Sequence, residues 1–418
     1  MNPERIIAGL DIGSAKTTVV IAEAVGDKKS RPALRILGVG QARTTGLRRG
    51  VVSDIEETTR SIKKAVEDAE RMAGTKIDAI YAGIAGEHVR AMISKGIVAV
   101  NGDEISKADV DRANEVARAQ QVPQDRELLH AIPQEYSVDK NQGIRDPIGM
   151  IGTRLETEMY LVTIGASPAM NLRKSVEKAG YRVRELVLEP LASALSVLTE
   201  DEKELGVALV EMGAGTTDIA VFHEGKIRHL GTVNYGGNNV TSDIVQGMGV
   251  TQADAERLKE RYGCAYEPLV DPTDVIQLPS TVAQGERHIP REVLAHIIHQ
   301  RMDEIFNLVL NEIQRAGYAQ RLSGGVVITG GAAAMEGVAE LAADVFGTGV
   351  RIGSPSENIG GLSDSVDAPR FATVVGLALY GAHRAAAGFS PTSKHRVFAG
   401  AGVNRFTKRL KTWLEDFF

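Results

Sequence analysis

Apolar positions along the chain follow two periods, and each change of period marks a new element. Residues 5–13 (RIIAGLDIG) and 17–25 (TTVVIAEAV) are short aliphatic runs around a polar turn, which predicts two strands joined tightly. Residues 54–74 switch to the helical period: Asp54 stands as N-cap, Ile55, Ile62, Val66 and Met72 recur along a stripe, and Gly74 is a stop. IDAIYAGIA (77–85) reads as a buried strand, and residues 106–120 as a second helix with Ser106 as cap and Asp109 at the capping-box position. A strand-rich stretch follows through LLHAIPQEYSVD (128–139) and TRLETEMYLVTIG (153–165), then helical patterns at 167–180 and 189–198. Residues 206–227 predict a β-hairpin. The longest helical pattern, 290–317, carries its stripe at Met302, Ile305, Phe306, Val309 and Ile313. Residues 324–347 read as strand, glycine turn and helix, and from Gly388 to Gly402 periodicity stops in a Gly, Ser, Pro and Ala-rich linker.

One pattern occurs twice. LDIGSAKTT (10–18) and VEMGAGTTD (210–218) share an apolar residue, a carboxylate, an apolar residue, Gly, two small residues and a closing Thr, each between two strands. Two such units predict two related lobes facing each other.

At 418 residues the chain is long for one core and predicts more than one domain. The 44 glycines and 5% aromatics suit an α/β protein rich in tight turns. A net charge of −6 gives no bulk attraction for nucleic acid, so none is expected as a partner. Cys264, the only cysteine, excludes an internal disulfide and suits a reducing, cytoplasmic compartment. The N-terminus lacks the pattern of a signal peptide, and no apolar run is long enough to span a bilayer as a helix.

Glycine turns let backbone N–H groups ring an anion. At the first turn these are Gly13, Ser14 and Ala15, with Lys16 and Thr17 adding a cation and a hydroxyl suited to phosphate. At the second they are Gly213, Ala214 and Gly215, with the hydroxyls of Thr216 and Thr217. Asp11, Glu211 and Asp218 are placed to hold Mg²⁺ through its waters beside two phosphate loops. One such turn alone is only a hairpin; the matched pair, joined by a third glycine turn in ITGGAAAM (328–335), points to a nucleotide. Gly330 and Gly331 there allow close approach of a base or ribose. Glu189, opening EPLASAL (189–195), can order a water for attack on a γ-phosphate, although an acid at a helix start is also ordinary dipole chemistry. Glu256 and Lys259 form an i,i+3 pair that would otherwise be a solvated salt bridge. His296 and His299 lack the further ligands a metal site requires.

Together these motifs resemble the actin-like ATPase superfamily. More narrowly, HAIPQEYSVDKNQGIRDPIGMIGTRLE (130–156), with GLRRGVVSDIEETTRSIKKAVEDAE, VNYGGNNVTSDI and EPLASALSVL, resembles the FtsA family of bacterial cell-division actin homologues. The resemblance runs over essentially the whole chain. It implies an actin-like two-lobed α/β fold with an inserted subdomain 1C. Subdomain 1A would comprise 1–83 and 166–203, 1C 84–165, 2A 204–236 and 322–387, and 2B 237–321, followed by a linker at 388–403 and a membrane-targeting helix at 404–418. It further implies ATP and Mg²⁺ between the lobes, at most slow hydrolysis, self-assembly through 1C, and capture of the FtsZ C-terminal peptide by 2B, with other divisome proteins recruited. Gly236, Gly237, Glu256, Lys259, Gly330, Gly331, Ala332 and Met335 would then face the adenosine. The second loop departs from the family pattern, with Glu211 where Asp is usual and Ala214 where Gly is common. Sugar kinases, chaperone-type ATPases and the pilus-assembly branch of bacterial actin homologues are the rival readings.

The last fifteen residues repay a helical projection. Phe406, Leu410, Trp413, Leu414 and Phe417 fall in one sector with Phe418 at its edge, flanked by Arg409 and Lys411. Flanking cations reach anionic headgroups and tryptophan favours the interface, so this pattern predicts an in-plane helix on anionic membrane lipids. The plainer alternative is a helix docked on the protein's own core or on a partner's groove.

Overall fold

The computed structural model describes residues 5–25, 33–278, 287–355 and 358–386. The predicted linker and terminal helix, 388–418, lie outside the described residues.

Two sheets form the body. The first runs, in spatial order, Arg182–Leu188, Ala79–Ile84, Ile6–Ile12, Lys16–Val25, Ala33–Arg43 and Ile359–Gly361. The second runs Val350–Ile352, Val326–Thr329, Val207–Met212, Thr217–His223 and Lys226–Val233. Five strands of each obey one scheme: two parallel neighbours, a central strand, then two antiparallel hairpin partners. Even the register repeats, with Asp11 opposite Thr18 and Glu211 opposite Asp218. The echo between the two loops is therefore a duplicated fold. Every residue of Val207–Met212 is buried, as expected of a strand covered on both faces.

Two helices join the lobes. Glu189–Val197 leaves the first sheet and rests on Val207–Met212 and Thr217–His223, while Ala372–Ala386 packs over Ile6–Ile12. They cross where a Cβ on Gly376 would collide with the Ala192 carbonyl oxygen.

Between Ala79–Ile84 and the helix Ala166–Lys178 the chain detours into a four-stranded antiparallel sheet, ordered Arg90–Ala99, Arg154–Gly165, Arg126–Val138 and Asn141–Ile144, with helix Lys107–Arg118 on one face. Ser106 and Asp109 form the anticipated capping box. Arg126 ties the ends of the detour by donating to the carbonyls of His88 and Thr163, both at 2.8 Å. Helices Gly237–Met248, Gln252–Tyr262 and Arg291–Arg315 cap the second sheet, and all five stripe residues of the long helix are fully buried.

Two expectations need correction. Met72 is 54% exposed; the stripe of helix Ile55–Ala73 continues instead through Ala69 and Ala73. Those small residues face Gly38 and Gly40 of the neighbouring strand, where a Cβ would strike the helix backbone. The sequence reading also passed over strand Arg90–Ala99, an edge strand whose exposed Met92, Ile93 and Ile97 blur the alternation.

Candidate functional site

Each matched hairpin closes its turn the same way. Gly13 N–H donates to the Lys16 carbonyl at 3.1 Å, and Gly213 N–H to the Thr216 carbonyl at 2.9 Å. The turns meet across the cleft, where a Cβ on Gly215 would lie 2.7 Å from Ser14 Oγ. The third turn follows Val326–Thr329. Gly330 takes φ +92°, and a Cβ there would sit 2.5 Å from the Met212 carbonyl oxygen, so only glycine fits beside the second loop. The space above Gly331 is open.

These turns wall one cavity of about 680 Å³, a size that suits a small-molecule ligand. Its lining includes Asp11, Gly13, Ser14, Ala15, Lys16 and Glu189 from the first lobe. From the second come Glu211, Gly213, Ala214, Gly215, Thr216 and Asp218, and with them Gly237, Glu256, Lys259, Gly330, Gly331, Ala332 and Met335. The Glu256–Lys259 pair is part of this wall: Lys259 Nζ donates to Glu256 Oε2 at 2.8 Å, Thr241 Oγ1 at 2.8 Å and the Gly237 carbonyl at 3.1 Å.

Three expected residues lie behind the wall. Thr17 and Thr217 are fully buried, their hydroxyls engaged with Thr44 Oγ1 at 2.8 Å and the Tyr235 carbonyl at 2.9 Å. They fasten the hairpins and have no free hydroxyl aimed at a ligand. Gly236 packs against the second loop, where a Cβ would meet the Gly213 carbonyl at 2.6 Å.

The carboxylates share a strained electrostatic setting. Burial, then Glu211, pushes Asp11 up to about 8. Burial, then Asp11, Glu211 and Asp218, pushes Glu189 well above the usual range. Burial raises Asp218 to about 6 against the hydroxyls of Thr232 and Thr216, and Glu211 to about 7 against those of Thr373 and Ser193. No described residue donates to Asp11, and none with a carboxylate pairs with the exposed Lys16. Acids crowded without a positive partner fit a cation, which would reverse these shifts. Among the described residues no three His, Cys, Asp or Glu groups are placed to ligate a metal directly, so a cation held through its own waters, as Mg²⁺ prefers, fits better. Glu189 leans on Gly83, where a Cβ would lie 2.8 Å from its Cγ.

Sequence reasoning missed Ser193, Thr232 and Thr373. Ser193 lay inside the EPLASAL motif, a lone hydroxyl on a buried helix; Thr373 is 162 residues from Glu211 and carried no local signal. His296 pairs with Glu267 and His299 with the Ala265 carbonyl, away from the cavity wall, and Cys264 is buried and free. Among the described residues no helix is long and apolar enough to cross a membrane.

Residues 208–376 match the family described as "Cell division protein FtsA", and residues 86–163 the "SHS2 domain inserted in FTSA". The cell division protein FtsA of Pseudomonas aeruginosa is 40% identical over 415 residues, covering 99% of this chain and 98% of the relative. That of Escherichia coli K12 is 38% identical over 421 residues, covering 99% and 98%. Among solved structures, a PilM–PilN type IV pilus biogenesis complex aligns with TM-score 0.63 at 17% identity, covering 90% of this chain and 98% of that one. MreB5 of Spiroplasma citri bound to ADP aligns with TM-score 0.54 at 15% identity, covering 90% and 96%. The two-lobed α/β architecture is thus actin-like.

Proposed function

The chain belongs to the FtsA family of cell-division proteins, and from that premise we propose that it binds ATP with Mg²⁺ between its lobes, self-assembles, and tethers FtsZ filaments to the inner face of the cytoplasmic membrane, where other divisome proteins gather. The observation that carries the nucleotide part is the convergence of two matched hairpin turns and a third glycine turn on one cavity of about 680 Å³. Gly13, Ser14, Ala15 and Lys16 face the phosphates from one side, and Gly213, Ala214, Gly215 and Thr216 from the other. Lys16 supplies a compact cation without a competing described carboxylate. Asp11 and Asp218 hold the waters of the cation, which neutralises phosphate charge when bound. Glu189 orders a water; a cation bound beside it would favour its ionised form, the state that can accept a proton. Gly237, Glu256, Lys259, Gly330, Gly331, Ala332 and Met335 frame the adenosine.

The membrane part rests on the terminal pattern around Trp413. One amphipathic tail binds reversibly, and several on one assembly bind firmly through effective concentration. FtsZ peptide capture by residues 237–321 and self-contact through the insertion are part of the same proposal, supported by the likeness to the FtsA family.

The deciding experiment is co-sedimentation with anionic vesicles of the full chain and of a 1–403 truncation, with and without Mg·ATP. We expect only the full chain to pellet, and more of it with Mg·ATP. Equal pelleting of both chains would refute the anchor. Pelleting indifferent to Mg·ATP, with no nucleotide bound in calorimetry, would refute the coupling to the cleft.

A further inference from the structure

The second loop's carboxylate has no free oxygen. Glu211 Oε2 accepts from the Ser193 hydroxyl at 2.8 Å, and Oε1 from the Thr373 hydroxyl. The two hydroxyls are themselves 3.1 Å apart. All three side chains are buried, Ser193 completely. Their positions give the cluster its meaning. Glu211 is the penultimate residue of the central strand of the second sheet, Ser193 lies on the helix resting on that sheet, and Thr373 is in the first turn of the helix that packs over the first. The carboxylate thus joins the second loop to both crossing helices, beside the crossing where Gly376 lets the backbones touch. Asp11, at the equivalent register of the first lobe, has no such partners among the described residues.

We propose that Glu211 is a positioning residue, a latch that fastens the second loop to the crossing helices, and that it does not belong to the water shell of the bound cation. The extra methylene over Asp is what lets it reach away from the cavity to Ser193 and Thr373. A carboxylate about 1.5 Å shorter would leave those hydroxyls without their acceptor. Two charge-assisted bonds in a buried site hold the carboxylate in one place, and with it the turn that begins two residues later at Gly213. The part of the proposal concerning the cation rests on the nucleotide reading above; the latch itself does not.

The test uses the full chain and two readouts. One is the urea midpoint for Ser193→Ala, Thr373→Val and Glu211→Gln and their combinations. The other is the ratio of ATP affinity with Mg²⁺ to that in EDTA. A latch predicts non-additive losses of stability, the hydroxyl deletions costing less in the Gln background than in the Glu background. It also predicts that Ser193→Ala weakens ATP binding by about two- to tenfold equally with and without Mg²⁺, because a loosened loop affects both. Asp218→Asn, by contrast, should cut the Mg²⁺ ratio by about tenfold or more. Additive stability losses, or a Glu211→Gln chain whose Mg²⁺ ratio falls as far as that of Asp218→Asn, would overturn the proposal. Should Glu211→Gln not fold, Ser193→Ala decides alone: a lowered midpoint with an unchanged ratio supports the latch, and a changed ratio overturns it. If the wild type binds no Mg·ATP, the nucleotide reading falls, and the stability cycle still decides the latch.

Discussion

The hairpin turns at 11–18 and 211–218 share a backbone and present different chemistry. Both close with the same Gly-to-carbonyl bond, and both put a carboxylate at the end of a central strand. The first then offers Lys16 and an Asp11 that no described residue bonds; the second offers Thr216 and sets Asp218 at the register where the first has Thr18. Asp218 is held by the hydroxyls of Thr232 at 2.7 Å and Thr216 at 3.1 Å. One loop is thus electrostatically open and the other pre-fastened. Duplication supplied the geometry twice, and single side chains divided the labour.

The largest expected effect removes the cation that both loops need. In EDTA, ATP affinity should fall about 100-fold or more, because unneutralised phosphates then face Asp11, Glu189 and Asp218. Calorimetric titration measures this, and affinity indifferent to Mg²⁺ would dissolve the assigned roles of both loops. Next comes the asymmetry. Lys16→Ala should weaken Mg·ATP binding by about 10- to 100-fold, and Thr216→Ala, which loses a neutral hydroxyl, by about two- to tenfold. Equal losses at the two positions would break the comparison.

A third prediction concerns what only the first lobe carries, the insertion. His130 on its strand Arg126–Val138 accepts the Leu188 N–H at 3.1 Å, one residue before Glu189. Burial, then Arg384, pushes its pKa down to about 3. The unfolded chain takes up the proton below about 6.5 while the folded chain does not, so this stability is present above that value and lost as pH falls toward 3. At pH 5 the loss should be about 2 kcal/mol. His130→Gln should narrow the difference in urea midpoint between pH 7.5 and pH 5; an unchanged difference would contradict it. The smallest effect sharpens the likeness. A Cβ on Gly13 or Gly213 meets a carbonyl oxygen at the same 3.1 Å, so the two Gly→Ala chains should match in stability within about 0.5 kcal/mol.

Local chemistry made much of this legible in advance. The turns at 13–15, 213–215 and 330–331 announced themselves through glycines flanked by strands, and the long helix through its fully buried stripe. The residues that escaped are those whose role depends on distant chain. Nothing near Thr373 says that Glu211 will be its partner, and nothing near Gly38 and Gly40 says that a helix will lie against them. Thr17 and Thr217 misled for a related reason: a strand's alternation turns every second side chain inward, and both hydroxyls are buried. Met72, six residues after Val66, stands about 120° round the helix from the stripe, which is why it is half exposed while Ala69 and Ala73 are buried.

Helix Ala372–Ala386 lying over strand Ile6–Ile12 also has a consequence in time. This strand leaves the ribosome long before Ala372–Ala386, the last described helix, can cover its apolar face. At about 5–20 residues per second, synthesis of the intervening chain takes roughly 20–75 s. During that interval the nascent first lobe shows unpaired hydrophobic surface to the cell, so chaperone supply and translation speed should govern the yield of this protein more than its final stability does.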